Sequence, residues 1–468
     1  MRIAAYTTLA LLVHAAFAGE PVTERTSTAA DRSATAITVY NDNLALIKEK
    51  RRVELARGLN RLSLREVAGK LQPETALLRA VSGPSFGLIE QNFDFDLLSP
   101  QKMLEKYVGR DVSVIRQNPA NGEERREKAT VLSSGDGVVL RFADRIETGV
   151  PGRLAFDAVP ANLRDRPTLS VLVDAEGGKQ EVELSYLSGG FSWQSDYVAQ
   201  LSADGKQLDL NGWVTLTNRS GAGFNDAQLQ LVAGTVNRSP RAEKLRMTAA
   251  VVRDAHAPAP AAREEGLLDY HLYSFDRPTS IADNQTKQLA LLAASSVPVQ
   301  REYLLAGGDW YYRSTYNGAG QKFKPAVYLS FDNKAPLGKP LPAGVVRVYA
   351  KDSKGAAQFV GEDRIEHTAR NEVVKLKLGE AFDITAERVQ TKFQQLGDRL
   401  TESSWKIELR NAKDEPVVVR VQEPMPGDWE VTRESQAHKQ DSAHAASWHV
   451  AIPAGGKTVL EYTARVKW

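Results

Sequence analysis

Apolar and polar residues alternate with a period of two over most of the chain. Val112, Val114 and Arg116 face away from Ser113 and Ile115, and Val138, Leu140 and Phe142 alternate with Val139 and Arg141 after the tight-turn sequence Ser134-Gly135-Asp136-Gly137. The pattern recurs at Leu169, Val171 and Val173, at Val182, Leu184 and Tyr186, and at Leu208, Leu210, Val214 and Leu216. At Val374, Leu376 and Leu378 the intervening Lys375 and Lys377 supply a wet face. This predicts half-buried antiparallel sheet, and a mainly β fold of several antiparallel β-sandwiches with one small β-barrel-like unit.

A helical period stands out once. Ser99 suits an N-cap, Pro100 the first helical position and Gly109 the residue past the last turn. Met103 with Tyr107 and Leu104 with Val108 lie one turn apart, giving a short connecting helix an apolar side. A composition break follows between Arg241 and Gly266, where Pro258 and Pro260 remove ladder donors and predict an exposed loop over 241–266. Flanking it is a weak internal echo. Trp213-Val-Thr-Leu-Thr-Asn218 is similar to Trp405-Lys-Ile-Glu-Leu-Arg-Asn411, each an alternating strand that turns at Asn, as two related sandwich layers would give.

The first 18 residues change the setting. Arg2 precedes an apolar stretch centred on Leu9 to Val13 and ending in Ala16-Phe17-Ala18, which reads as a signal peptide cleaved before Gly19. The expected destination is the periplasm or the exterior. With 468 residues, 42% hydrophobic, the chain has material for two or three domains. The expected division is 1–18 leader, 19–36 flexible lead-in, 37–98 N-terminal β domain, 99–186 small β unit with the helix, and 187–468 sandwich region.

Charge and cysteine then exclude function classes. The formal charge of +2 falls to +1 when Arg2 leaves with the leader, with acids and bases interspersed, which gives no reason to expect a nucleic-acid partner. The sequence holds no cysteine, so disulfides, thiolate metal sites and thiol nucleophiles are out. No later apolar run is long enough to cross a bilayer as a helix.

Three constellations carry candidate chemistry. In Phe93-Asp94-Phe95-Asp96 a strand places both carboxylates on one face about 7 Å apart, a spacing used in glycoside hydrolysis, and equally the product of solvated acids opposite two core phenylalanines. His438, His444 and His449 form the only histidine cluster, without the spacing of a zinc motif, in a stretch that reads as a polar loop. Trp310, Tyr311, Tyr312 and Tyr316 follow Gly307-Gly308; on a strand, adjacent aromatics point to both faces, presenting one to a sugar ring or a protein partner. No Gly-x-Ser-x-Gly elbow occurs, Gly221-Ala-Gly223 and Gly318-Ala-Gly320 read as turns, and no cofactor is expected. The run Lys48 to Arg52 reads as an exposed strand face.

Phe191-Ser-Trp193 with Ser195-Asp-Tyr197, Leu210 through Asn218, Asp226-Ala-Gln-Leu229 and Ala233-Gly234 resemble the core of the bacterial domain-of-unknown-function 4139 family. So do Tyr270-His-Leu-Tyr273, Thr286-Lys287, Leu341-Pro-Ala-Gly344, Arg347-Val-Tyr349, Gly379 through Asp383, and Asn411 with Glu423 and Trp429. The resemblance covers more than half the chain, and Ile37 to Pro84 is similar to the region preceding this domain in its signal-peptide-bearing members. Relatives called mucoidy inhibitor A-like usually carry a longer, coiled-coil N-terminal part that this chain lacks. The family has no established catalytic residues, so the resemblance implies fold and compartment and no site.

The leading expectation is a non-enzymatic envelope protein that binds an envelope protein or polysaccharide, or stabilises the envelope. A polysaccharide hydrolase resting on Asp94 and Asp96 is one alternative. An outer-membrane barrel is another, because Leu460, Tyr462, Ala464, Val466 and Trp468 alternate with Glu461, Thr463, Arg465 and Lys467.

Overall fold

In the computed structural model, residues 22–41, 43–94, 97–119, 121–150, 152–160, 163–234, 263–267, 270–318 and 320–467 are described. The expected leader and most of the expected Pro-rich loop therefore lie outside the described residues. Arg263–Leu267, at the end of that expected loop, is a strand paired with Tyr270–Ser274.

Two sandwiches of one topology follow each other along the chain. In the N-terminal one, a sheet runs in the order Arg263–Leu267, Tyr270–Ser274, Phe224–Ala233, Arg32–Tyr40, Leu44–Leu55, Gly178–Ser188. In the C-terminal one, the order is Lys439–Ser442, Ala445–Ile452, Val417–Pro424, Gln300–Ala306, Ala326–Asp332, Val373–Glu380. The parallel contact falls at the same place in both, between the third and fourth strands. The facing sheets share the antiparallel run Phe191–Leu201, Gln207–Asn218, Gln285–Pro298, matched by Ile384–Gly397, Leu400–Asn411, Lys457–Lys467.

The two asparagines of the sequence echo perform one task. Asn218 sends its amide to the carbonyls of Ala222 and Ala282 and accepts from Ser220 N–H. Asn411 sends its amide to Glu415 and Pro453 and accepts from Lys413 N–H. Each ties a strand end to the following turn and to a distant segment, satisfying backbone groups that leave the ladder. Aligned on them, Phe191 matches Ile384, Ser195 matches Arg388 and Gly212 matches Trp405.

The domain boundaries differ from the expected ones. Thr168–Ala175 and Gly178–Ser188 return to the N-terminal sandwich, the first between Gly58–Arg65 and Phe86–Asp94, the second beside Leu44–Leu55. The small unit is thus an insertion with its own core, from Met103 to Leu163. Among the described residues its five strands form an open sheet rather than a barrel, because the end strands Ile146–Thr148 and Arg153–Ala155 do not pair with each other. The helix Pro100–Lys106 forms as its signals predict: Ser99 Oγ accepts from Lys102 N–H, and Gly109 takes φ +81°. The expected flexible lead-in contains a strand, Thr23–Ser27, parallel to Gly58–Arg65, and a short turn capped by Thr28 and Asp31. Its partner lies more than thirty residues away, so no local period announces it.

The run Lys48 to Arg52 is not simply an exposed face. Lys48 and Arg52 are exposed, while Glu49 and Arg51 point inward and are fully buried. Glu49 accepts from Arg51, Arg32 and the Tyr186 hydroxyl, and Arg51 also reaches the carbonyls of Ser27 and Arg65. Burial pushes the Glu49 carboxyl up, but the Arg51 and Arg32 charges and the hydrogen bonds of Arg51 and Tyr186 bring its pKa below the ordinary value. A carboxylate with a depressed folded pKa stabilises the fold above its unfolded pKa, and that contribution is lost as pH falls through the folded one. Glu49→Gln is therefore expected to lower stability by about 2 kcal/mol at neutral pH, the scale of hydrogen bonds to a charged group. The gap from wild type should close below the ordinary glutamate range, measured by urea unfolding across pH.

The terminal strand has its own explanation. Leu460, Tyr462, Ala464 and Val466 are buried against the facing sheet, so their alternation serves a sandwich core. Among the described residues no sheet closes into a barrel, and no helix is long and apolar enough to cross a membrane.

Candidate functional site

The C-terminal sandwich carries a charge pair where its counterpart does not. Along Ile384–Gly397 the inward positions read Ile384, Ala386, Arg388; along Val417–Pro424 they read Val417, Val419, Val421, Glu423. The alternation that buries the aliphatic residues thus carries Arg388 and Glu423 into the core from opposing sheets. Arg388 donates to Glu423 Oε1, and both side chains are essentially without solvent exposure. The Tyr312 hydroxyl donates to Glu423 Oε2 over 3.2 Å and lies 2.9 Å from that of Tyr462. In the N-terminal sandwich Ser195 stands at the Arg388 position, and inward positions of Phe224–Ala233 are Phe224, Ala227, Leu229, Leu231 and Ala233. The topology folds without the pair.

Burial raises the Glu423 carboxyl above its ordinary range, against the pull of Arg388. For Arg388, burial alone would favour loss of the proton, but the Glu423 charge outweighs it and holds the guanidinium protonated. Burial and the Glu423 charge push Tyr312 upward, and the same two causes act on Tyr462.

An aromatic cap covers the pair. Arg388 lies 4.8 Å from the centroid of Tyr311 and 5.9 Å from that of Trp405, a cation–π arrangement on two rings. Tyr311 and Tyr316 each pack on Trp405 at 5.3 and 5.5 Å. Trp310 sits on top, 4.4 Å from Tyr311 and 5.7 Å from Tyr316, and is 52% exposed. Tyr311 and Tyr312 are buried and Tyr316 partly so.

These residues do not lie on a strand, as their composition suggests. The strand Gln300–Ala306 stops at Gly307-Gly308, and Asp309–Tyr312 form a short 3-10 helix that turns Tyr311 and Tyr312 inward and leaves Trp310 outside. Close approach requires glycine at position 307, against the buried Glu423, while at 308 a side chain would have to displace the Trp310 indole. A Cβ at Gly307 would lie 2.1 Å from Glu423 Oε2, and one at Gly308 2.6 Å from Trp310 Nε1. Gln390 fastens the cap: its Oε1 accepts from Tyr316 N–H and its Nε2 donates to the carbonyls of Tyr311 and Ser314. A bulge follows Gln390 in the ladder with Leu400–Asn411, and Thr401 donates to the Tyr312 carbonyl.

The other candidates fall elsewhere. Asp94 ends the edge strand Phe86–Asp94, paired with Thr168, and Asp96 lies outside the described residues. The three histidines do not converge. His438 bonds Glu434 through Nδ1 and packs its ring between Trp429 and Trp448, whereas His444 and His449 are exposed. Among the described residues no group of three ligating side chains stands ready for a metal ion. Arg388, Trp405 and Tyr462 escape a reading of local motifs, yet a charge in the inward phase of an alternating strand is a signal the sequence contains.

No curated protein matches the chain. The family described as Domain of unknown function (DUF4139) matches residues 182–468, beginning inside Gly178–Ser188 and taking in the whole C-terminal sandwich with its charge pair and aromatic cap. That span is more than half of the chain, which belongs to the DUF4139 family.

Proposed function

We propose that this is an exported cell-envelope protein that acts by binding, and that Trp310 is the contact point for an envelope polysaccharide. The observation that carries this reading is the half-exposed indole braced by Tyr311 and Tyr316 over a buried ion pair. A braced aromatic face gives stacking area with little entropy left to lose, which suits a sugar ring. The leader pattern ending at Ala18 supports export.

Co-sedimentation of the purified chain with peptidoglycan sacculi and with exopolysaccharide tests the reading. Trp310→Ala is expected to weaken retention at least about tenfold, as loss of an aromatic anchor does. Its stability should stay within about 0.5 kcal/mol of wild type, as for a surface substitution. Equal retention of the variant would refute the sugar contact. A photo-crosslinker at position 310 that captures only protein in intact cells would replace the polysaccharide with a protein partner. N-terminal sequencing of an osmotic-shock fraction should begin at Gly19.

A further inference from the structure

A cleft of about 630 Å³, lined by polar and apolar surface in near-equal parts, opens in the N-terminal sandwich, far in sequence from Trp310. Its walls include residues 25–27 of the strand Thr23–Ser27, residues 52–54 of Leu44–Leu55 and residues 179–181 of Gly178–Ser188. Two of these strands have an open edge among the described residues. Thr23–Ser27 pairs only along Gly58–Arg65. Leu44–Leu55 loses its neighbour Arg32–Tyr40 beyond Arg51, so residues 52–54 are paired only on the side of Gly178–Ser188. Unpaired strand edges are templates for another strand.

The cleft also holds polar groups that the fold leaves unanswered. Gln180 is 5% exposed, and neither its Oε1 nor its Nε2 has a hydrogen-bond partner; Ser27, 2% exposed, has none for its Oγ. A buried amide without partners is costly, and native folds rarely keep one without a use. One primary amide offers the acceptor and donor that a single peptide group complements. The rim charges cancel, with Arg25, Arg52 and Lys179 against Asp31, Glu54 and Glu181, which disfavours an ionic ligand. Arg51 holds the Ser27 carbonyl and fixes the end of the strand beside the opening.

We propose that this cleft takes an extended peptide segment of another protein, added as a strand along the open edges at residues 25–27 and 52–54, with one of its peptide groups held by the Gln180 amide. Backbone pairing supplies the affinity and the pleat of the added strand the register.

The test uses the full chain. A peptide selected from a random decapeptide display library is measured by fluorescence anisotropy against wild type, Gln180→Leu, Ser27→Ala and Trp310→Ala. Gln180→Leu should weaken it at least about tenfold, the equivalent of one charge-free hydrogen-bonded pair lost. Because it removes an unanswered buried amide, the same variant should melt at or above the wild-type temperature. Alternate N-methylation of the peptide should abolish binding, and hydrogen exchange should slow at residues 23–27 and 52–55. Trp310→Ala should leave the affinity unchanged, which separates this site from the aromatic one. The proposal is overturned if no peptide is selected, if affinity survives Gln180→Leu or N-methylation, if protection falls elsewhere, or if Gln180→Leu melts lower. It is equally overturned if chitotetraose, a peptide-free sugar, binds the cleft in a Gln180-dependent way.

Discussion

Replacing Arg388 by methionine is expected to cost about 3–5 kcal/mol of stability, because it strands the Glu423 carboxylate in the core of the C-terminal sandwich. The loss should appear in urea unfolding followed by tryptophan fluorescence, since Trp405 and Trp448 report from that core. Burial already holds the Glu423 carboxyl above its ordinary pKa, and without the guanidinium it rises further. The folded variant then binds a proton that the unfolded chain releases, so its stability falls as pH rises through that interval. Its deficit against wild type should therefore shrink as pH is lowered towards the ordinary glutamate range.

The double variant Arg388→Met, Glu423→Leu has the opposite expectation. Apolar residues of similar volume replace both charges, and such exchanges are often neutral or stabilising. Tyr312 and Tyr462 keep each other as hydroxyl partners. The double variant should recover most of the stability lost in the single one. Its polysaccharide retention should still fall, because Tyr311 loses the cation beneath it and Trp310 loses the brace that Tyr311 provides. A double variant that is stable and also retains full binding would show the pair to be structural alone.

Much of this architecture was legible in the chain. Most period-two positions from Val112 to Leu376 are buried where the alternation puts them, with Val138 and Arg116 only half-buried and Ile115 buried on the opposite phase; the Ser99 helix forms from its caps, and the Asn218 and Asn411 echo marks equivalent strand ends. Pairing at long range was not legible. Thr168–Ala175 alternates like any half-buried strand, and nothing local states that it passes over the small unit to lie between Gly58–Arg65 and Phe86–Asp94. Thr23–Ser27 has polar composition and owes its strand to a partner elsewhere. Composition marks the aromatic cap but not its conformation, because Gly307-Gly308 signals a strand end as readily as a bend within one. Its foundation was hidden for another reason: Arg388 and Glu423 lie 35 residues apart, and only the facing of two sheets makes them a pair.

The repeated topology carries a third expectation. Trp405 occupies the position that Gly212 holds in the first sandwich, counted back from Asn411 and Asn218. At Gly212 the space is already filled, since a Cβ there would lie 3.0 Å from Leu292 and 3.1 Å from Tyr197. Around Trp405 the neighbours are instead Tyr311, Tyr312, Tyr316 and Arg388, which lean on the indole rather than fill its place. Trp405→Ala is therefore expected to leave a cavity and cost about 3–5 kcal/mol, even though the same topology accepts glycine at the matching site. Released from its support, the cap should lose order before the sandwich unfolds. Hydrogen exchange at residues 309–316 should quicken, and the accessibility of Trp310 to acrylamide should rise from its half-exposed level. A cap that stays protected while stability falls would separate the indole's packing role from the bracing assigned to it.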